Sequence, residues 1–161
     1  MHIDIPFYKQ DTLYTCGPVA LQMVMSFLGH FKSEGALADE AHTDKIKGTS
    51  HEGMIDTVRK EGFYCYVNSR SSINEIKHFI HLGLPVIVDF IEPAGDDGHY
   101  AVVTGFVGHN LILNDSLNGE GRHMSLQDFT SRWHDFLTRS HGWMMVLSKT
   151  DFQLGKQYLP R

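Results

Sequence analysis

Apolar residues change their spacing along this chain, from long helical runs in the first part to short strand-like runs later. Only Gln22 and Ser26 interrupt the run CGPVALQMVMSFLG, which has the length and termini of a helix. A helix that is apolar nearly all round belongs inside a domain, packed between other layers. Thr15 stands where it can cap this helix, and Gly29 where it can end it.

Further helices are predicted in about the first half of the chain, each marked by a capping residue or a terminal glycine. Ser33 and the pair Thr49–Ser50 are in capping positions, and Gly62 and Gly83 follow the last helical residues. The helical segments are GALADEAH, HEGMIDTVRKE and INEIKHFIHL, and the strand FYCYVN precedes the last of them.

Short β-branched and apolar runs between turn residues dominate the second half of the chain. The predicted strands are PVIVDFIE, HYAVVTGFV, LILND and WMMVLSK, and the turns are PAGDDG, VGHN and SLNGEG. Before the last strand, Ser125 can cap a helix, LQDFTSRWHDFL. Helices first and an antiparallel sheet afterwards predict an α+β domain. Because no repeat or linker divides the chain, we expect residues 1–161 to form one domain.

Composition excludes several classes of protein. With 161 residues, 42% hydrophobic and 20% charged, the chain has the composition of a globular domain with its own core. A net charge of −5 provides no basic field for nucleic acid. The apolar stretches are too short or too interrupted to span a bilayer, and the N-terminus lacks the pattern of a signal peptide. We therefore expect a cytoplasmic protein without a nucleic-acid partner or a membrane span.

The cysteines and histidines show no framework of disulfides or metal ligands. Two cysteines, Cys16 and Cys65, are too few for a disulfide scaffold, and Cys65 lies in a predicted strand as a core residue. The 11 histidines include no pair with the tight spacing of a zinc site and no HExxH motif. We expect neither a bound metal nor a cofactor.

Cys16 opens the predicted buried helix, six positions after Gln10. The thiolate is the reactive form of cysteine, and the N-terminus of a helix favours negative charge. The Gln10 amide and the backbone N–H of Cys16 could together hold the oxyanion of a tetrahedral intermediate. Gly17 would let a substrate backbone approach, or serve packing alone. The alternative is that Cys16 is an ordinary core residue and Gln10 a surface amide.

The second half of the chain offers a base for this nucleophile. His99 starts a predicted strand directly after a turn, where a strand can hold it rigidly at the edge of a cleft. The following hairpin brings Asp115 back to within a few residues of Tyr100, so its carboxylate can orient the His99 ring. Asn114 is the alternative orienter, because strand alternation points the two side chains to opposite faces. Alternatively, His99 and Asp115 are solvated turn residues.

The segments that contain these residues resemble the bacteriocin-processing cysteine peptidases. Those enzymes are papain-like domains that remove double-glycine leader peptides at peptide-exporting ABC transporters. The likeness runs from about Ile5 to Trp133 and covers KQDTLYTCGPVALQMVMSFLG, KGTSHEGMIDTVRKEGF, GHYAVVTGF and LILNDS. The resemblance implies a papain-like fold whose N-terminal helical part packs on a C-terminal antiparallel sheet. It also implies roles for four residues: Gln10 in the oxyanion hole, Cys16 as nucleophile, His99 as base and acid, and Asp115 as orienter.

The sequence thus predicts a cysteine peptidase that cleaves a peptide or amide bond in a peptide or protein substrate, without a cofactor. The same thioester chemistry also fits an acyltransferase or a deamidase. Two other hypotheses remain: a peptide-binding module that does not cut, and a metal-dependent protein that uses Cys16, His99 and Asp115 as ligands. Association with a membrane transporter is open at this point.

Overall fold

The structure, a computed structural model, describes residues 1–135 and 140–161. Three helices precede the first strand in this part of the chain, and strands then dominate. The elements are α1 (Cys16–Phe27), α2 (Glu34–Glu40), α3 (His51–Lys60), β1 (Tyr64–Asn68), α4 (Ile73–His81), β2 (Val86–Ile91), β3 (Gly98–Val107), β4 (Asn110–Asp115), β5 (Gly119–Ser125), α5 (Leu126–Arg132) and β6 (Met144–Ser148).

The strands form one antiparallel sheet in the order β1-β6-β2-β3-β4-β5. Its centre carries the hairpin of β3 and β4, in which Val107 pairs with Asn110. Strand β5 begins inside the predicted turn SLNGEG, at Gly119, and no strand was predicted there. It is an edge strand whose residues are all exposed or half-buried. Its sequence, GEGRHMS, therefore lacks the run of apolar and β-branched residues by which a strand is predicted.

Both faces of the sheet are covered, which explains why every residue of β2 is buried. Side chains of a strand alternate between its two faces. Ile87 accordingly joins a core cluster with residues of α1 and α3, whereas Val86 and Val88 join a second cluster with residues of α4 and α5. Cys65 is buried in the first cluster, as predicted, and burial raises the pKa of its thiol to about 12.

Helix α1 is the buried helix that the apolar run predicts, with nine of its 12 residues buried. Gly29 follows its C-terminal cap in the left-handed region, at φ 84°, as expected of a terminating glycine. Thr15 is the N-cap residue of this helix, as predicted, but its side chain makes no capping hydrogen bond. Its hydroxyl instead donates to Glu34 at 2.6 Å, which ties the start of α1 to the start of α2.

Serine caps fix the starts of three other predicted helices. The hydroxyls of Ser33, Ser50 and Ser125 each accept a hydrogen bond from the backbone N–H three residues later. Helix α5 is shorter than predicted and ends at Arg132. The indole of Trp133 is buried and donates to the carbonyl of Trp143, so the chain leaves the helix at this residue. Residues 136–137 of that prediction lie outside the described residues.

Gly53 in α3 and Gly35 in α2 both lie near the start of a helix, but only Gly53 packs against another segment, at Ala41. Comparing alanine substitutions at the two positions tests this contact. A Cβ at Gly53 would collide with the carbonyl oxygen of Ala41, whereas a Cβ at Gly35 would meet no atom within 4 Å. We expect Gly53→Ala to lower the free energy of unfolding by about 1–3 kcal/mol. Gly35→Ala should leave it unchanged or raise it by up to about 1 kcal/mol. Urea denaturation of both variants measures the difference, and equal effects would contradict this packing.

Candidate active site

Cys16 lies where the first turn of α1 meets strand β3. Its Sγ accepts a hydrogen bond from the backbone N–H of Tyr100 at 3.5 Å, and its side chain is partly exposed. Helix burial therefore places the thiol at a fixed point beside the sheet.

His99 and Asp115 form a buried pair at the neighbouring ends of β3 and β4. His99 Nε2 and Asp115 Oδ1 are 2.7 Å apart, and the two residues are 4% and 3% exposed. They are therefore not the solvated turn residues of the alternative hypothesis. The pairing of β3 with β4 places Asn114 opposite Val102, which puts Asp115 close to Tyr100 in the sheet, as the sequence predicts.

The Asp115 carboxylate is held by the turn that follows it. Oδ1 accepts from the backbone N–H groups of Leu117 and Asn118, both at 3.0 Å. Oδ2 accepts from the Asn118 side-chain amide at 3.0 Å. These donors fix the carboxylate, and the carboxylate in turn fixes the ring of His99.

The charges of the three side chains are coupled. Burial acts to lower the pKa of His99, but hydrogen bonds to Asp115 and Cys16 outweigh it and raise that pKa to about 10. Burial acts to raise the pKa of Asp115, but the hydrogen bond and charge of His99 and the Asn118 donors lower it to about 2. The raised pKa of His99 and the lowered pKa of Asp115 both favour the charged form, a protonated ring beside an ionised carboxylate.

Gln10 is buried, at 6% exposed, and is not a surface amide. Its backbone N–H donates to the carbonyl of Ser116 at 3.0 Å, and its side chain contacts Ser116 and Thr12. Because Ser116 follows Asp115, the structure brings Gln10 next to the His99–Asp115 pair.

Asn114 and Gly17 have structural contacts of their own. The Asn114 side chain accepts from the backbone N–H of Gly121 in β5, which occupies it away from His99. A Cβ at Gly17 would lie 3.0–3.1 Å from Met54 and Thr49, so this glycine allows α1 to pack closely on the start of α3.

Three further residues contact the site, and the sequence alone did not identify them as part of it. Tyr100 offers its N–H to Cys16 and its hydroxyl to the carbonyl of Thr49. Ser116 and Asn118 hold Gln10 and Asp115, but the sequence marks both only as turn residues. Their contacts arise from how the turn after Asp115 meets Gln10 and Asp115 in space, which no signal in the sequence marks.

A second group of titratable side chains lies near Tyr100. His51 Nε2 is 2.8 Å from Asp89 Oδ2 and 3.9 Å from Asp135 Oδ2. Its ring stacks on Trp143, with centroids 4.1 Å apart. Within residues 1–135 and 140–161, these three are the group whose ligand atoms, all within 4.8 Å of one another, could hold a metal. They come from distant parts of the chain, so no spacing in the sequence reveals them.

The arrangement also bears on the hypothesis that Cys16, His99 and Asp115 bind a metal. His99 Nε2 bonds Asp115 Oδ1, whereas Cys16 Sγ accepts from the backbone N–H of Tyr100. Three ligands must converge on one point to share an ion. Among the described residues, Cys16, His99 and Asp115 are not a group whose ligand atoms all lie within 4.8 Å of one another.

A buried helix that begins at a cysteine and packs on an antiparallel sheet carrying a histidine–aspartate pair defines the papain-like cysteine peptidase fold. The chain belongs to the Peptidase_C39 like family, whose model matches residues 2–141. An uncharacterized protein of Methanothermobacter marburgensis is 32% identical over 114 residues, which cover 71% of this chain and 73% of that protein.

Solved structures share this fold. The peptidase domain of Streptococcus ComA, a bifunctional ABC transporter involved in quorum sensing, matches with a TM-score of 0.72 and 26% identity, covering 92% of this chain and all of that one. A double-glycine motif protease of an AMS/PCAT transporter, solved with its leader peptide, matches with a TM-score of 0.72 and 18% identity, covering 92% of this chain and 94% of that one. Among the described residues of this chain, no helix has the length and apolar character needed to cross a membrane.

The raised pKa of His99 predicts how stability changes with pH. A group whose pKa rises from 6.5 to about 10 on folding stabilises the protein fully below pH 6.5, and this contribution is lost as the pH rises towards 10. We expect the free energy of unfolding of wild-type protein to exceed that of His99→Gln by about 2 kcal/mol or more in neutral solution. Urea denaturation should show this difference shrinking as the pH rises. A difference independent of pH would contradict the buried imidazolium.

Proposed function

We propose that this protein is a cysteine peptidase that hydrolyses a peptide or amide bond. In this proposal Cys16 is the nucleophile, His99 the general base and acid, and Asp115 the residue that orients His99. The observation that supports it most strongly is the buried His99–Asp115 pair, 2.7 Å apart, beside Cys16, whose sulfur accepts from the backbone N–H of Tyr100, the residue after His99. Membership of a peptidase family supports the same chemistry.

The reaction follows from the charges of these groups. The Cys16 thiolate attacks the carbonyl carbon, a C–S bond forms, and the carbonyl oxygen becomes an oxyanion. The oxyanion accepts from the Gln10 amide and the backbone N–H of Cys16. His99 gives its proton to the leaving amine as the C–N bond breaks, which leaves a thioester. His99, now neutral, takes a proton from water, and the resulting hydroxide replaces the sulfur and releases the acid.

The substrate class that we propose is a segment of peptide chain. The related protease solved with a leader peptide binds such a segment in the same fold. Gly17, next to the nucleophile, is proposed to leave room for the substrate backbone on the side away from Met54 and Thr49. No cofactor takes part in any step of this scheme.

Alkylation of Cys16 as a function of pH tests the nucleophile. Because Asp115 and Cys16 raise the pKa of His99 to about 10, we expect the thiolate to have a cationic partner through the neutral range. We expect iodoacetamide to label Cys16 fast well below pH 8.5, roughly the pKa of a free thiol. In His99→Ala, the rate near neutral pH should fall by about tenfold or more.

Cys65 provides an internal control, because it is fully buried and its thiol has a pKa of about 12. Mass spectrometry of the labelled protein should find the modification at Cys16 and almost none at Cys65. If the labelling of Cys16 follows an ordinary thiol titration, and His99→Ala leaves it unchanged, then the proposed pairing of nucleophile and base is wrong.

A further inference from the structure

We infer that Ser116 is a positioning residue for the oxyanion hole: its hydroxyl fixes the Gln10 amide so that one N–H points at the reacting carbonyl. This inference rests on the proposed function, because it assigns to Gln10 the role of oxyanion donor. It adds a residue that neither the chemistry of the triad nor the sequence pattern identifies.

Two hydrogen bonds join Ser116 to Gln10 in the protein interior. The Ser116 hydroxyl donates to Gln10 Oε1 at 2.7 Å, and the Gln10 backbone N–H donates to the Ser116 carbonyl at 3.0 Å. Ser116 is 1% exposed, so water does not compete for its hydroxyl. The side chain of Gln10 is therefore tied to the turn after β4 by an interaction that burial strengthens.

A third contact decides which way the amide faces. Gln10 Nε2 donates to the carbonyl of Thr12 at 2.7 Å. A carbonyl oxygen can only accept, so the amide nitrogen must lie towards Thr12 and the amide oxygen towards Ser116. A primary amide has two N–H donors, and among the described residues Nε2 makes only the bond to Thr12. The second donor is available to a substrate oxygen.

One turn thus holds two parts of the site through separate bonds. Asp115 is fixed by the N–H groups of Leu117 and Asn118 and by the Asn118 side chain, whereas Gln10 is fixed by Ser116. None of the Asp115 contacts uses the Ser116 hydroxyl. Removal of that hydroxyl should therefore loosen Gln10 and leave the His99–Asp115 pair in place.

Two small reagents separate these effects without a known substrate. p-Nitrophenyl acetate acylates a thiolate through a tetrahedral oxyanion: a C–S bond forms, the ester C–O bond breaks, and nitrophenolate leaves. Iodoacetamide alkylates the same sulfur by direct displacement of iodide, with no oxyanion. A defect confined to the oxyanion hole slows the first reaction only. A defect in the Cys16–His99 pair slows both.

The test compares the wild-type protein with Ser116→Ala, Gln10→Ala and the double variant. Loss of a whole oxyanion donor costs about 10²–10³ in rate, so loss of its positioning is expected to slow acylation by about tenfold. Alkylation of Ser116→Ala should stay within about twofold of wild type at every pH, because it needs no oxyanion. In the Gln10→Ala background, Ser116→Ala should cause no further loss of acylation, because the donor that it positions is absent.

Three outcomes with the Ser116 variants would overturn the inference while leaving the proposed function in place. Ser116→Ala with wild-type acylation shows that the hydroxyl is structural, and an equal loss in both reactions shows that it acts on the Cys16–His99 pair. A full additional loss in the Gln10→Ala background shows that it acts independently of Gln10. If Ser116→Ala does not fold, Ser116→Gly removes the same hydroxyl and is judged by the same criteria. A wild-type protein whose Cys16 is not acylated would overturn the proposed function, and this inference with it.

Discussion

The buried hydrogen bond between His99 and Asp115 is the interaction on which the rest of the site depends. An imidazolium in the protein interior is unfavourable unless an anion compensates its charge, and here the carboxylate does so at 2.7 Å. The bond also occupies Nε2, so that the remaining side of the ring is available to Cys16. The pairing register of β3 with β4 brings Asp115 close enough to His99 for this bond to form. The backbone N–H groups of Leu117 and Asn118 then hold the carboxylate in place.

Two packed layers hold this pair opposite the nucleophile. Helix α1 is buried against one face of the sheet, and its first residue is Cys16. Helices α4 and α5 cover the other face. Because the sheet is packed on both sides, β3 has little freedom to move, and the 3.5 Å contact between the Tyr100 N–H and the Cys16 sulfur is set by the fold itself. The chemistry therefore uses positions that the hydrophobic core has already determined.

Local signals explain what the sequence could and could not predict. The apolar run after Cys16, the serine caps and the strand pairs predict the α+β fold, and motif spacing selects Gln10, Cys16, His99 and Asp115. The structure pairs His99 with Asp115, places the Cys16 sulfur at the backbone N–H of Tyr100, and ties Gln10 to Ser116. The roles of Ser116 and Asn118 depend on how one turn meets Gln10 and Asp115 in space, which a linear pattern does not record. The end of α5 at Arg132 and the polar edge strand β5 were missed because tertiary contacts, rather than local propensity, decide them.

In the proposed reaction, the Cys16 thiolate cleaves a peptide bond and water resolves the thioester. Its most direct test is to incubate a library of peptides with the protein in ¹⁸O-labelled water and to identify the products by mass spectrometry. The account predicts new carboxyl termini that carry ¹⁸O and that disappear with Cys16→Ala. Products that join the acyl group to another amine, or a library that stays intact with wild-type protein, would contradict it.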